Sequence, residues 1–498
     1  APHGNTRRGP SLPRGLPNPS THAPPSQPVA PASETDASAK AETLGDKAEA
    51  SGGAEGLEGD ADFYHNRGFG HRKRHDFKAA VADYTRAIQL DPDHYKAYFN
   101  RGFSCDRLGL YKQAIESYDQ VIRIQPENPY AHYNKAISYD CLREYPSAIE
   151  AFSEAIRLDP RNADFWHNRG FSRRKAGQYE DAVRDYTEAI ALNPRHFKAH
   201  YNRGFSYDKM GDFDSSIRDY TQALRIQPDN ANALHNRGSA YDKKGQFSQA
   251  LADFSQSITL DPSNPSSYNS RALTHDHVGD YTRALEDFTK AIEMASSQDS
   301  KEGERERDGD RESGLAVYYA NRGFVYREVA RYKLSIADYT TAIELSPQPS
   351  ALHYNYRAYS YRRLGMYDMA IKDYDMSLSL SRSVRTLNNR GYSYAKSNNY
   401  AAAIRDYTSV LELDPSNIHA YHNRGISYDK QGHHYKAIQD FTCVLRLDPG
   451  NTNAYFNRGS AYDALGDFDH AIHDYSMALL YDSGKGEKGK GEAVEAPQ

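Results

Sequence analysis

The tripeptide Asn-Arg-Gly, or a close variant of it, returns at a fixed interval through most of this chain, and nothing else in the sequence constrains the fold as strongly. The small residue that closes it falls at Gly68, Gly102, Ala136, Gly170, Gly204, Gly238, Ala272, Gly323, Ala358, Gly391, Gly425 and Gly459. Successive steps are 34 residues six times, then 51, 35 and 33, then 34 twice. A period of this length makes each unit one supersecondary element, too small to bury an apolar face alone, so neighbours must stack.

Within a unit the apolar residues recur at helical spacing. Gly109, Gly177, Gly211, Gly245, Gly279, Gly365, Gly432 and Gly466 divide units into two helices of about a dozen residues, each glycine supplying the left-handed cap that ends the first. A proline follows the second helix in nine units, from Pro92 to Pro449, and forces the chain to turn. Counting Ala61 as position 1, positions 4, 8 and 11 lie on one stripe of the first helix. A small residue at position 8, facing Ala80, Ala114, Ala148, Ala182 and their equivalents at position 20, lets the helix axes approach. The rings at position 24, such as Tyr84, Phe152 and Tyr220, are expected to fill the space between neighbouring pairs.

The sixth unit carries these signatures at Leu234, Gly238, Tyr241, Ala250, Phe254, Ser257 and Pro262, and in this it resembles the tetratricopeptide-repeat family. The resemblance runs in twelve in-register copies from residue 61 to about 485 and implies an all-α, right-handed superhelical solenoid of helix-turn-helix repeats. The step of 51 is one repeat plus 17 inserted residues, around the charged stretch 296–314. The expected organisation is therefore repeats 1–7 over 61–295, a charged linker or insertion over 296–314, and repeats 8–12 over 315–485. Residues 1–60 begin Pro-rich and turn acidic, and residues 486–498 form a polar tail; neither can bury a core, and both are expected to be disordered.

Composition narrows the partners. The 62 basic and 67 acidic residues are spread along the chain for a net charge of −5, which offers no field to draw a nucleic acid. No apolar run reaches the roughly 18–20 residues of a membrane span. Cys105, Cys141 and Cys443 show no metal spacing and are expected to be buried apolar fillers in a reducing, cytoplasmic setting. The chain begins at Ala1, so an upstream targeting signal is not read from it.

Opposite the packing stripe, positions 2, 6, 9 and 13 share a second face that would line a groove. Position 6 is Asn66, Asn100, Asn134, Asn168, Asn202, Asn236, Asn321, Asn389, Asn423 and Asn457, interrupted only by Ser270 and Tyr356. An amide both donates and accepts, so a ladder of them suits the backbone of an extended peptide; alternatively, the amides bond across neighbouring helices. The array is similar to the repeat arm of the O-linked N-acetylglucosamine transferases, and that resemblance implies protein segments held along the ladder. The catalytic half of such enzymes has no counterpart here. Position 9 adds aromatic rings, among them Phe69, Phe171 and Tyr392. Position 7 is Arg in eleven units and Lys135 in the other, and position 23 is Asp in ten, which predicts an arginine-aspartate bridge such as Arg203 with Asp219. His65, His167, His235 and His422 stand on different units without paired ligands, so no metal is expected.

These residues lead to a non-catalytic protein-binding scaffold or adaptor that needs no cofactor. The alternatives are a permanent subunit of a cytoskeletal or ciliary assembly, or the substrate arm of an enzyme whose catalytic part lies elsewhere. No phosphate loop, nucleophile elbow or zinc-protease motif is present between residues 61 and 485. The carboxylate clamp by which some family members grip the Glu-Glu-Val-Asp tail of chaperones is also missing, since position 5 is never Lys and position 9 never Asn.

Overall fold

The computed structural model describes residues 59–299 and 309–482, which hold twenty-four α-helices and no strand. The expectations for residues 1–58, 300–308 and 483–498 lie outside them. Six successive hairpins run from helix Ala61–Lys73 to helix Phe247–Leu260 and five from Gly309–Glu328 to Phe468–Asp482, each packed on the next within its set, and helices Pro265–His277 and Tyr281–Asp299 lie between the sets in sequence. The chain divides into two compact units between Thr274 and His275, inside the helix Pro265–His277. Each unit is an all-α solenoid of hairpins. Helix Tyr281–Asp299 runs into the inserted stretch and helix Gly309–Glu328 emerges from it, both longer than their counterparts. In the described part of that stretch Gln298, Arg311 and Glu312 are good helix formers.

One repeat explains the others. Asn230 accepts a hydrogen bond from the Ala233 amide and starts the first helix, Ala231–Lys243. Gly245, with φ of 79°, reverses the chain into the second helix, Phe247–Leu260. Asp261 then leaves helical geometry, with φ of −132° and ψ of 84°, as the proline after it favours. All eight predicted glycines adopt positive φ. The four repeats without one use His75, Arg143, Ala330 and Asn398 in the same left-handed conformation, with φ of 60–62°. Tertiary packing thus imposes the turn even on residues that pay for it in strain.

The small residue at position 8 has a nearer neighbour than position 20. A Cβ added at Gly102 would stand 2.8 Å from Cε1 of Tyr118, and one at Gly425 would stand 2.8 Å from Cε1 of Phe441. The position-24 ring therefore lies across the small residue of its own repeat as well as between repeats. It then reaches onward: Tyr84 packs with Ala80, Ala87 and Ala97, the last from the following repeat. The cysteine expectation holds for Cys105, which is buried, but Cys141 is exposed and Cys443 only half-buried. Cys141 occupies position 13, on the outer edge of the first helix, where other repeats place Lys73, Lys175 or Lys209.

Gly204 has more room, with nearest contacts of 3.3 Å. Gly102→Val should therefore cost about 1–3 kcal/mol through overpacking, while Gly204→Ala stays within about 1 kcal/mol, its helix gain offsetting the tighter fit. Arg143→Gly should stabilise by about 1 kcal/mol by removing the left-handed strain. Thermal melts followed by circular dichroism would check the order of all three.

Candidate functional site

The first helices present their side chains in rows, and each row is set by what lies 16 or about 34 residues away. The position-7 guanidinium crosses to the second helix of its own repeat. Arg203 donates from Nε and Nη2 to the two carboxylate oxygens of Asp219, each at 2.7 Å, and from Nη1 to Thr187 of the preceding repeat at 3.0 Å. The bidentate pair recurs at Arg67, Arg169, Arg237, Arg322, Arg357, Arg390, Arg424 and Arg458. The predicted bridge is therefore present, and the hydroxyl at position 25 adds a bond between repeats that position-by-position reading missed.

The exceptions compensate. Where Ala151 replaces the aspartate, Lys135 turns instead to Asp119 at position 25 of the preceding repeat, 2.6 Å away. Arg101 bonds Ser117, which stands at position 23 in its repeat.

Beside this row stand the asparagines. Asn66 is exposed; Asn100, Asn134, Asn168, Asn202, Asn236, Asn389, Asn423 and Asn457 are half-buried; Asn321 is buried. Five donate from Nδ2 to a ring at position 5 of the preceding repeat. Asn168 reaches the Tyr133 hydroxyl at 2.6 Å and Asn236 that of Tyr201 at 2.8 Å. Asn100, Asn202 and Asn457 reach Nε2 of His65, His167 and His422 at 3.0–3.1 Å. Such a bond needs a neutral imidazole with Nε2 unprotonated. Burial keeps it neutral: the pKa of His65 falls to about 4 and that of His167 to about 3, with a further push from His94 and His196, whose rings lie 5.0 and 4.8 Å away.

Position 12 is arginine in four repeats, aspartate in seven and Ala395 in the other. Where it is arginine, the guanidinium is sandwiched between position-9 rings of its own and the next repeat. Arg174 lies 4.9 Å from the Phe171 centroid and 4.8 Å from that of Phe205; Arg72 and Arg362 sit in the same way. Arg327 joins Phe324 to Tyr359 and also meets Tyr356. In these repeats the hydroxyls of Tyr84 and Tyr339 have no hydrogen-bond partner among the described residues, while those of Tyr186 and Tyr374 face the guanidinium groups of Arg174 and Arg362. Where position 12 is Asp106, by contrast, it accepts from Tyr118 at 2.8 Å and from Ser138 of the next repeat at 2.6 Å. Asp140 accepts from Ser172 in the same way. Burial raises the pKa of these carboxyls, Asp106 to about 6 and Asp140 to about 7, against the pull of their serine donors.

The aromatic rings at position 9 thus pack against arginines at least as much as they face the amides. The sequence held a signal for this: Phe69, Phe171, Phe324 and Tyr359 share a repeat with an arginine three residues on, and Phe103, Phe205 and Tyr392 follow such a repeat. Among the described residues no three His, Cys, Asp or Glu side chains converge as a metal site would require, and no helix is long and apolar enough to cross a membrane.

Models of the tetratricopeptide repeat match residues 70–129, 129–162, 151–184, 172–211, 197–230, 231–264, 265–298, 316–349, 391–432, 419–451 and 452–484. No curated protein matches the chain. Among solved structures, a tetratricopeptide repeat protein from Parabacteroides merdae is 19% identical, covering 52% of this chain and 98% of its own, with a TM-score of 0.41. YrrB, described as a TPR protein with an unusual peptide-binding site, is 22% identical over 36% of this chain and 92% of its own, at 0.33. The Cut9-Hcn1 tetramer of the APC/C offers a chain 14% identical over 85% and 94%, at 0.37.

Because the His167 pKa lies below its ordinary value, its contribution to stability is present above about pH 6.5 and is lost as pH falls toward 3. At pH 5 that loss is about 2 kcal/mol. His167→Tyr, which installs the residue found at the same place in the flanking repeats, should flatten the fall in melting temperature between pH 7.5 and 5. Parallel slopes for the two proteins would refute the assignment.

Proposed function

The chain belongs to the tetratricopeptide-repeat family, and from that premise we propose that it is a non-catalytic scaffold holding extended segments of other proteins along its first helices. The family membership supports protein binding. The finer reading is that the asparagine row, Asn66 to Asn457, supplies the contacts.

One observation carries this reading: five of the ten amides, those of Asn100, Asn168, Asn202, Asn236 and Asn457, are pinned by the repeat before them. An asparagine that spends one N–H on Tyr133 or His167 retains a second N–H and a carbonyl with two lone pairs. A fixed amide costs little entropy when it binds, so a row of them can pair with peptide backbone at modest expense per contact. Such pairing reads main chain and tolerates many side chains. The arginines held between rings, Arg72, Arg174, Arg327 and Arg362, add orienting charge at fixed points beside the row. The partner would contribute most of the ordering, since the pinned amides are already held before binding.

Replacing Asn168, Asn202 and Asn236 together with Ala should lower the recovery of unfolded or extended polypeptides in a pull-down read by mass spectrometry, with helicity retained by circular dichroism. Undiminished recovery by a folded variant would sink the asparagine reading. Stoichiometric co-purification that survives the substitutions would point to permanent assembly through another face.

A further inference from the structure

We propose that copies of this chain stack head to tail, the first repeat of one copy completing the exposed end of the twelfth repeat of another. An internal junction has two halves, and among the described residues repeat 1 and repeat 12 each present one half without its match.

The downstream half is uncovered on repeat 12. Leu479 occupies position 28, where Ile156, Leu224, Leu411 and Leu445 are 6–9% exposed beneath the following helix; Leu479 is 71% exposed. Ile472 at position 21 is 64% exposed, and Phe456 and Phe468 of the same repeat are also exposed. A solenoid that ends in solvent usually carries a polar outer face on its last repeat. Here the last described helix, Phe468–Asp482, keeps the apolar set of an internal one.

The upstream half is uncovered on repeat 1. Arg67 makes its bidentate bond to Asp83, yet its side chain is 50% exposed, against 13–20% for the eight later arginines that pair in the same way. What those arginines gain is a preceding repeat, commonly with a hydroxyl at position 25 for Nη1. Ser476 is the hydroxyl at that position on the open end of repeat 12.

The apolar fit has a precedent within the chain. Position 3 is small in several repeats but is Phe63 in repeat 1 and Phe165 in repeat 4. Phe165 is 1% exposed, seated against Tyr133, Phe152 and Ile156 of repeat 3. The open end of repeat 12 offers Phe456, Tyr475 and Leu479 at the same three positions, and Phe63 is 49% exposed. The one element without a counterpart is an acceptor for Asn66, because Phe456 stands where Tyr133 stands. A contact of this kind joins different faces of two copies, so it propagates into open chains or closes into rings.

Analytical ultracentrifugation of the 56.1 kDa chain over a concentration series would test this. The expected result is a mass that climbs beyond the dimer as concentration rises. Leu479→Glu and Phe63→Glu, both on exposed side chains and checked for helicity, should each reduce the chain to monomer. Mixed together they should form a 1:1 dimer and nothing larger, since each retains one intact end. A chain that stays monomeric at all concentrations overturns the proposal. So does self-association that Leu479→Glu removes and Phe63→Glu leaves intact, which would mean tail-to-tail pairing.

Discussion

A guanidinium that reaches two ways governs this fold. Arg203 grips a buried carboxylate on its own second helix and a hydroxyl on the repeat before, so one side chain sets the angle of a hairpin and the register of a stack. A buried ion pair contributes little net stability, because desolvation offsets attraction, but removing one partner costs about 3–5 kcal/mol. The bond therefore acts as a selector of geometry. Arrangements that separate Arg203 from Asp219 strand a buried charge, and the hydrophobic stacking is left with one register.

The departures from the pattern obey the same constraint. Ala151 removes the carboxylate from repeat 3, and the cation there is a lysine paired with Asp119 in the preceding repeat. Arg390 faces aspartates on both sides, Asp406 in its own repeat and Asp375 in the one before. Position 12 varies more: Asp106 accepts from a tyrosine and a serine, Asp208 is held by Lys243, and Arg174 lies between two rings. In both rows the charge is matched to its surroundings, and repeats differ chiefly in which neighbour supplies the match.

Much of the architecture was legible because its determinants are local. Gly245 ends a helix and Pro262 prevents a restart whatever surrounds them, so hairpins could be placed from residue type alone. Less of the candidate site was legible. Asn168 and Asn202 look alike in sequence, yet one leans on a tyrosine hydroxyl and the other on a neutral imidazole 35 residues upstream. The left-handed turns at His75 and Arg143 carried no sequence mark, since those residues adopt that conformation only because packing on both sides demands it.

By itself the sequence determined the repeat, its two helices, the small residue at position 8 and the pairing of Arg with Asp, all of which follow from backbone propensity and a fixed spacing of 16 residues. Only the tertiary structure decided which asparagines are pinned, where arginines stack on rings, why Cys141 is exposed and how the pKa values of His167 and Asp140 move. Those properties depend on partners about one repeat away. Their distance is set by how one hairpin settles on the next, a packing equilibrium that no single repeat encodes.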